Sequence, residues 1–105
     1  MGQRENAFQA SLIRELHKLF PDAIVTKMDS GHIQGIPDIL ILSGPNWATL
    51  ECKKSEHEPH RPNQDYYVAK MDQMSFSRFI FPENKEEVLR DLQQSFRTRR
   101  RARLP

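Results

Sequence analysis

A four-residue turn limits what this 105-residue chain can fold into more than any other feature. Ser43-Gly44-Pro45-Asn46 sets four turn-forming residues in a row between two apolar runs, Ile39–Leu42 and Trp47–Leu50. Two short apolar runs joined in this way predict a β-hairpin. With the turn centred on Gly44 and Pro45, Asp38 stands opposite Glu51. Residues directly opposite in a hairpin share a face, their Cβ atoms roughly 5 Å apart. Lys53 lies two residues beyond Glu51 and therefore on that face too. The hairpin is expected to present two carboxylates and one amine together.

Two carboxylates a few ångströms apart repel, and one takes up a proton unless a cation intervenes. Mg²⁺ suits such a pair, because it accepts one or two carboxylates together with water and phosphate oxygens. Lys53 would then stand beside the attacking water, where its charge orients the nucleophile or offsets charge developing around phosphorus. A set of this kind is suited to phosphodiester cleavage. The plainer reading of the same residues is a solvated strand end.

Pro37-Asp38, a spacer of twelve residues and Glu51-Cys52-Lys53 resemble the PD-(D/E)XK nuclease signature. Gly35-Ile36-Pro37-Asp38 is similar to the GxPD form of the virus-type replication–repair (VRR-NUC) nucleases, phage proteins among them, and archaeal Holliday junction resolvases are similar in size and layout. The resemblance runs from Glu5 to about Phe96. It implies an α/β fold with a restriction-endonuclease-like core, a central mixed β-sheet flanked by helices. It implies a Mg²⁺- or Mn²⁺-dependent endodeoxyribonuclease that leaves 5′-phosphate and 3′-hydroxyl ends. Asp38, Glu51 and the backbone carbonyl of Cys52 would be the metal ligands and Lys53 the catalytic amine. Related proteins place a glutamate on the first helix beside the metal, and often a glutamine on the helix after the ExK strand. Glu5 and Gln64 occupy those positions here. By analogy with the resolvases and phage proteins, the DNA would be branched, nicked or flapped, as in recombination, repair or replication, and a homodimer would supply two cuts.

Composition narrows the alternatives. The length suits one domain with a modest core. No apolar run approaches 18 residues, so no membrane span is expected. MGQRENAFQ lacks a signal-peptide h-region, and Asn6 breaks the myristoylation pattern that Gly2 opens. A single cysteine, Cys52, rules out an internal disulfide. These features predict a cytoplasmic protein, of a bacterial or phage-infected cell on the resemblance, with no small-molecule cofactor. The net charge of +2 hides an asymmetry. Five arginines (Arg97, Arg99, Arg100, Arg101, Arg103) fall in residues 96–105 with no acid, which leaves eleven basic against fourteen acidic groups in the rest. Residues 1–96 read as a nuclease-like domain and 97–105 as a basic tail, either an arm for nucleic acid or a solvated terminus.

The remaining elements follow from periodicity. Phe8, Leu12, Leu16 and Leu19 form a helical stripe from Arg4 to Phe20, ended by Pro21-Asp22. Glu5 lies on the extension of that stripe, either as an acid complementing the helix dipole or as a third metal-site carboxylate. Ala23–Met28 is a short strand expected to pair with 38–42. Residues 54–63 are polar and broken by proline, hence a loop. Cys52, His57 and His60 within and beside it match no structural zinc spacing. Asn63 is the expected cap of a helix over 64–74. Gln64 heads the apolar face of that helix, as a polar residue at a fraying end or as a group near the attacking water. Ser77–Phe81 is a further strand, expected at an edge. Asn84 opens the last helix, with Glu87 completing a capping box and Phe96 as the last packed residue. The predicted order is α-β-β-β-α-β-α. Gly35 is expected to permit a close approach of backbone. Lys27, Gln34, Lys54 and Arg61 are candidate phosphate contacts, with ordinary solvation as the other reading. Besides a nuclease, the sequence admits a catalytically inactive module that binds DNA or a protein partner, or a structural protein with a coincidental motif.

Overall fold

The computed structural model describes residues 3–103, with side chains over 6–98. Its elements are α1 (Gln3–Leu19), β1 (Ile24–Lys27), β2 (Ile39–Ser43), β3 (Asn46–Cys52), α2 (Gln64–Met74), β4 (Ser77–Ile80) and α3 (Lys85–Arg103). The strands form one sheet in the order β1-β2-β3-β4. The first three are antiparallel and β4 is parallel to β3. This is the mixed sheet flanked by helices, in the order α-β-β-β-α-β-α, that the periodicities predict. No helix among the described residues is long and apolar enough to cross a membrane.

The turn sets the register. Gly44 has φ +60°, and Pro45 is confined by its ring to negative φ. Positive then negative φ is the pattern of a type II′ turn, whose twist matches that of the strands it joins. Ser43 pairs with Asn46 and Ile39 with Leu50, so one further step brings Asp38 opposite Glu51. Asn46 is buried at the turn and donates from Nδ2 to the Phe96 carbonyl at 3.4 Å, which ties the hairpin tip to α3.

The two faces of the sheet are covered unequally. Ile39, Ile41, Ala48, Leu50 and Cys52 lie fully buried in one core with Leu12 and Leu16 of α1 and Val88, Leu89, Leu92 and Phe96 of α3. Phe20 and Phe96 close its end with ring centroids 5.3 Å apart. The opposite face carries α2, which is the crossover that a parallel β3–β4 pair requires. It therefore covers β3 and β4 alone. Beneath it the interface is partly polar, with Thr49 Oγ1 donating to Ser77 Oγ at 2.8 Å. The expectation that both faces of the hairpin are packed under helices holds only in part. Ile24 is 63 % and Leu42 39 % exposed. A single helix about 10 Å wide, lying over β3 and β4, leaves the strands beyond them uncovered on this face.

Both helix starts differ from the expected caps. Asn63 makes no side-chain capping bond and takes a left-handed backbone, φ 70° and ψ −6°. Its Nδ2 reaches sideways to the Gln34 carbonyl at 3.4 Å. Asn84 turns back toward β4, accepting from Phe81 N–H at 2.8 Å and donating to the Phe79 carbonyl at 3.0 Å. α3 also continues beyond Phe96 to Arg103. Its apolar stripe ends at Phe96, but no proline or glycine interrupts the arginines that follow.

Gly35 is the second glycine whose conformation matters. It has φ +91°, and a Cβ there would stand 2.6 Å from Asn63 Cβ and 2.7 Å from the Asn63 carbonyl carbon. The backbone before Asp38 thus presses against the backbone before α2. Gly44 carries only the conformational penalty, since nothing lies within 4 Å of its Cβ direction. Gly44→Ala should therefore cost about 1–2 kcal/mol. Gly35→Ala adds a backbone collision and should cost distinctly more, measured as the difference in urea midpoints. Equal losses would show that the contact with Asn63 does not hold the loop.

Candidate functional site

Asp38, Glu51, Lys53 and Gln64 line one cleft of about 200 Å³, together with Glu58 and Arg61. The hairpin register supplies Asp38 and Glu51, and the strand period supplies Lys53. The β3–α2 crossover lays the first turn of α2 over the same face. Gln64 thereby points onto the carboxylate row, as the head of an apolar helical stripe must.

Gln64 is the hinge pin of the cleft. Its Nε2 donates to Glu51 Oε2 at 3.0 Å, and its Oε1 accepts from Lys53 Nζ at 2.7 Å and from Arg61 N–H at 2.8 Å. One amide therefore holds a carboxylate with its donor end and an ammonium with its acceptor end. Lys53 is 2 % exposed, an unusual state for a lysine, and it is surrounded by acceptors. It donates to the Pro59 carbonyl at 3.2 Å, and Glu58 Oε2 lies 3.7 Å away. Two of its three donors are thus engaged by hydrogen bonds, and the third remains for a group in the cleft.

Asp38 is held by the strand it faces, accepting from the Cys52 N–H through Oδ2 at 2.9 Å. Burial pushes its carboxyl above the ordinary carboxylate value. The Cys52 N–H, a hydrogen bond with Glu51 and the Lys53 charge oppose that rise, and Glu58 adds to it. The hairpin register sets the Asp38 and Glu51 side chains on one face, where two like charges favour a cation between them.

The chemistry of the donor set tests the fit of a metal. A pair of hard oxygen ligands beside an open cleft matches what Mg²⁺ or Mn²⁺ takes from protein, since such ions keep waters and use few carboxylates. Among the described residues no group of three or more His, Cys, Asp and Glu gathers to hold an ion. The Glu5 side chain, expected as an auxiliary acid, lies outside the described residues, as do those of Arg99, Arg100, Arg101 and Arg103. The donor set that fits is Asp38 and Glu51, with the Cys52 carbonyl as the main-chain ligand that the sequence motif implies.

The other predicted contacts are dispersed. Gln34 and Arg61 line the cleft. Lys54 is exposed next to it, with its N–H bonded to Glu58 Oε1 at 2.6 Å. Lys27 pairs with Ile39 and so belongs to the opposite face of the sheet. Arg97 sits beside Ser43 and Asn46 at the hairpin tip. From Asn46 to Glu51 is five steps along β3, about 17 Å. Glu58 is the member of the cleft that the sequence did not single out. It sits in an aperiodic loop, and its only local signal is a spacing of four from Lys54. Comparison with family models, with curated proteins and with solved structures finds no match.

The raised Asp38 carboxyl predicts a pH effect with a definite sign. From the unfolded value of 3.8 up to its higher folded value, the native state binds more protons than the unfolded chain. Stability conferred by this group is therefore lost as pH rises through that window. Asn at position 38 can still accept from Cys52 N–H and can donate to Glu51 without titrating. In EDTA, Asp38→Asn should melt at or above the wild-type temperature at pH 7 and lose this part of the pH dependence. Melting curves between pH 3 and pH 8 check it, and a variant that melts lower at neutral pH refutes a raised Asp38 carboxyl.

Proposed function

We propose that this chain is a Mg²⁺- or Mn²⁺-dependent endodeoxyribonuclease of the PD-(D/E)XK type, similar to VRR-NUC nucleases and Holliday junction resolvases. The observation that carries the reading is that Asp38 and Glu51 line one cleft with a buried lysine, Lys53. A purely structural strand gains nothing from such a set. When bound, the divalent ion would be held by Asp38, Glu51 and the Cys52 carbonyl, and would polarise the scissile phosphate and activate water. The restriction-endonuclease-like core, the cytoplasm of a bacterial or phage-infected cell as the setting, and a homodimer making paired cuts belong to the same proposal. So does structure-selective action on branched, nicked or flapped DNA, since one small domain covers too little duplex for extended sequence readout.

The chain's own residues would act by position and charge. Gln64 fixes Lys53 and Glu51 relative to one another, so neither reorganises when substrate enters. Lys53 turns its remaining N–H toward the cleft, where it can orient water or a phosphate oxygen. Glu58 places a counter-charge 3.7 Å from the ammonium. Arg61 and Gln34 border the entrance and would contact the flanking phosphates. The reaction adds water across the P–O3′ bond and yields 5′-phosphate and 3′-hydroxyl ends.

One observation favours a different reading. Lys53 is already held by Gln64, Pro59 and Glu58, as a purely structural ammonium would be. On that reading the chain is an inactive nuclease-fold module that binds DNA or a protein. Metal separates the two. Wild-type protein should gain melting stability in millimolar Mg²⁺ or Mn²⁺, about 2.7 kcal/mol at a hundredfold excess over the dissociation constant. It should cut at least one of duplex, single-stranded, flap or four-way DNA, and EDTA should stop it. Lys53→Met keeps the stem and removes the charge. It should lower the cleavage rate about 10²–10³-fold while the metal-induced melting shift persists. No metal shift and no cleavage of any DNA would leave the binding module as the answer.

The arginine-rich end of α3 provides a separate test. Deleting residues 97–105 removes five arginines and leaves Phe96 in place. If they bind phosphates, the plot of log affinity against log salt should flatten by up to about 4–5 units, with little change in the rate on saturating DNA. An unchanged slope would show that this end is not an anchor.

A further inference from the structure

The cleft has a flank that its metal-ligating and lysine residues do not use. One row across the sheet runs from Asp38, just before β2, through Glu51 on β3 to Phe79 on β4, since Glu51 and Phe79 are register partners. The His60 ring lies flat on Phe79, with centroids 3.9 Å apart and planes inclined by 14°. Its Nδ1 is 2.6 Å from Asp65 Oδ1, in the first turn of α2. The main chain on both sides of His60 is fastened to the cleft, through the Pro59 carbonyl to Lys53 and through Arg61 N–H to Gln64. The imidazole is thus fixed in tilt by a stack, in rotation by a carboxylate and in position by its neighbours. Nε2 has no protein partner among the described residues.

This arrangement is more than a histidine in water requires. A carboxylate on Nδ1 keeps the hydrogen on that nitrogen and leaves Nε2 to exchange protons with whatever approaches. Neighbouring strands are about 4.8 Å apart, so the ring stands one strand beyond Glu51, on the side away from Asp38. Lys53 lies further along β3. Phosphodiester hydrolysis needs help at both ends of the line of displacement, and Lys53, proposed to orient water or a phosphate oxygen, supplies no proton to the leaving oxygen.

We propose that His60 is a further catalytic residue of this cleft, a general acid that delivers a proton from Nε2 to the departing 3′ oxygen, with Asp65 and Phe79 as its positioning residues. The inference rests on the phosphodiester-cleaving reading of the cleft. In the step, a water oxygen bonds to phosphorus and the P–O3′ bond breaks. The 3′ oxygen leaves with the Nε2 proton, the water releases a proton to solvent, and solvent reprotonates the imidazole before the next turnover.

The test uses the full chain with Mn²⁺ and two DNA substrates under single-turnover conditions. One is natural, and the other has sulfur in place of the bridging 3′ oxygen, so that its thiolate leaves without a proton. His60→Phe keeps a ring against Phe79 and removes the proton donor. It should slow the natural substrate by about 10² or more and the sulfur substrate by less than about tenfold. Equal slowing of both substrates, or no slowing of the natural one, overturns the assignment. Nitrogen NMR of the metal-free protein supplies a readout that does not depend on turnover. Neutral His60 should carry its hydrogen on Nδ1, and Asp65→Asn should abolish that preference. A wild-type His60 with its hydrogen on Nε2 overturns the proposal. Wild-type protein that cuts no DNA sinks the nuclease reading and this inference together, whereas an active wild type matched by His60→Phe sinks the inference alone.

Discussion

The cleft depends on the register of one hairpin. Side chains alternate between the two faces of a strand, so a slip of a single residue would carry Glu51 and Lys53 to the α1–α3 side and bring Leu50 and Cys52 out. Two things prevent that slip. The Gly44-Pro45 pair accepts one turn geometry, and the fully buried set Ile39, Ile41, Ala48, Leu50 and Cys52 has a single face on which to hide. The energy that holds the acidic pair together is therefore stored on the other side of the sheet. Packing of aliphatic side chains against α1 and α3 keeps Asp38 and Glu51 on one face, and burial there pushes the Asp38 carboxyl up.

The second constraint is the approach of two backbones. Gly35 lies against Pro62 and Asn63, and Asn63 takes a left-handed conformation where a helix would ordinarily begin. That kink delivers Gln64 onto the carboxylate row. Left-handed backbone is tolerated by asparagine more readily than by most residues, so Asn63 serves by its conformation rather than by the capping bond its identity suggests. Lys53 and Gln64 find partners in this loop. Pro59 and Arg61 contribute main-chain atoms, Glu58 a carboxylate, and none of the three is placed by any repeat in the sequence.

Legibility in the sequence divides along the same line. The hairpin, its register and the shared face of Asp38, Glu51 and Lys53 could be read because a period of two and a glycine-proline turn are local properties. The inward aim of Gln64 followed from the helical stripe of Tyr67, Val68 and Met71. What Gln64 does could not be read, since a bridging amide needs Lys53 and Glu51 already in place. The partial exposure of Ile24 and Leu42 was hidden as well. An apolar strand face looks the same in sequence whether a helix lies over it or beside it, and coverage here is decided by which two strands α2 connects. The extension of α3 to Arg103 was obscured for the opposite reason. Packing signals stop at Phe96, while helix propensity, which leaves no periodic trace, carries the chain on.

The charge layout bears on how a polyanion would meet this surface. The cleft sets three carboxyl groups, Asp38, Glu51 and Glu58, against the cations of Lys53 and Arg61, so it offers a phosphate no net positive field of its own. An ion held by the Asp38–Glu51 pair would tip that balance toward a phosphate. Arg97 leaves the body at the hairpin tip, the far end of β3 from that pair, where Asn46 ties the tip to Phe96. Attraction without a metal would be exerted at the tip, and chemistry with a metal at the other end of the strand. A nucleic acid engaging both must follow β3 along its length, about 17 Å, the span of several nucleotides. On the nuclease proposal, affinity and turnover would fall at separate ends of one sheet, and salt would weaken the first more than the second, because exposed arginines are screened more than groups in a confined cleft.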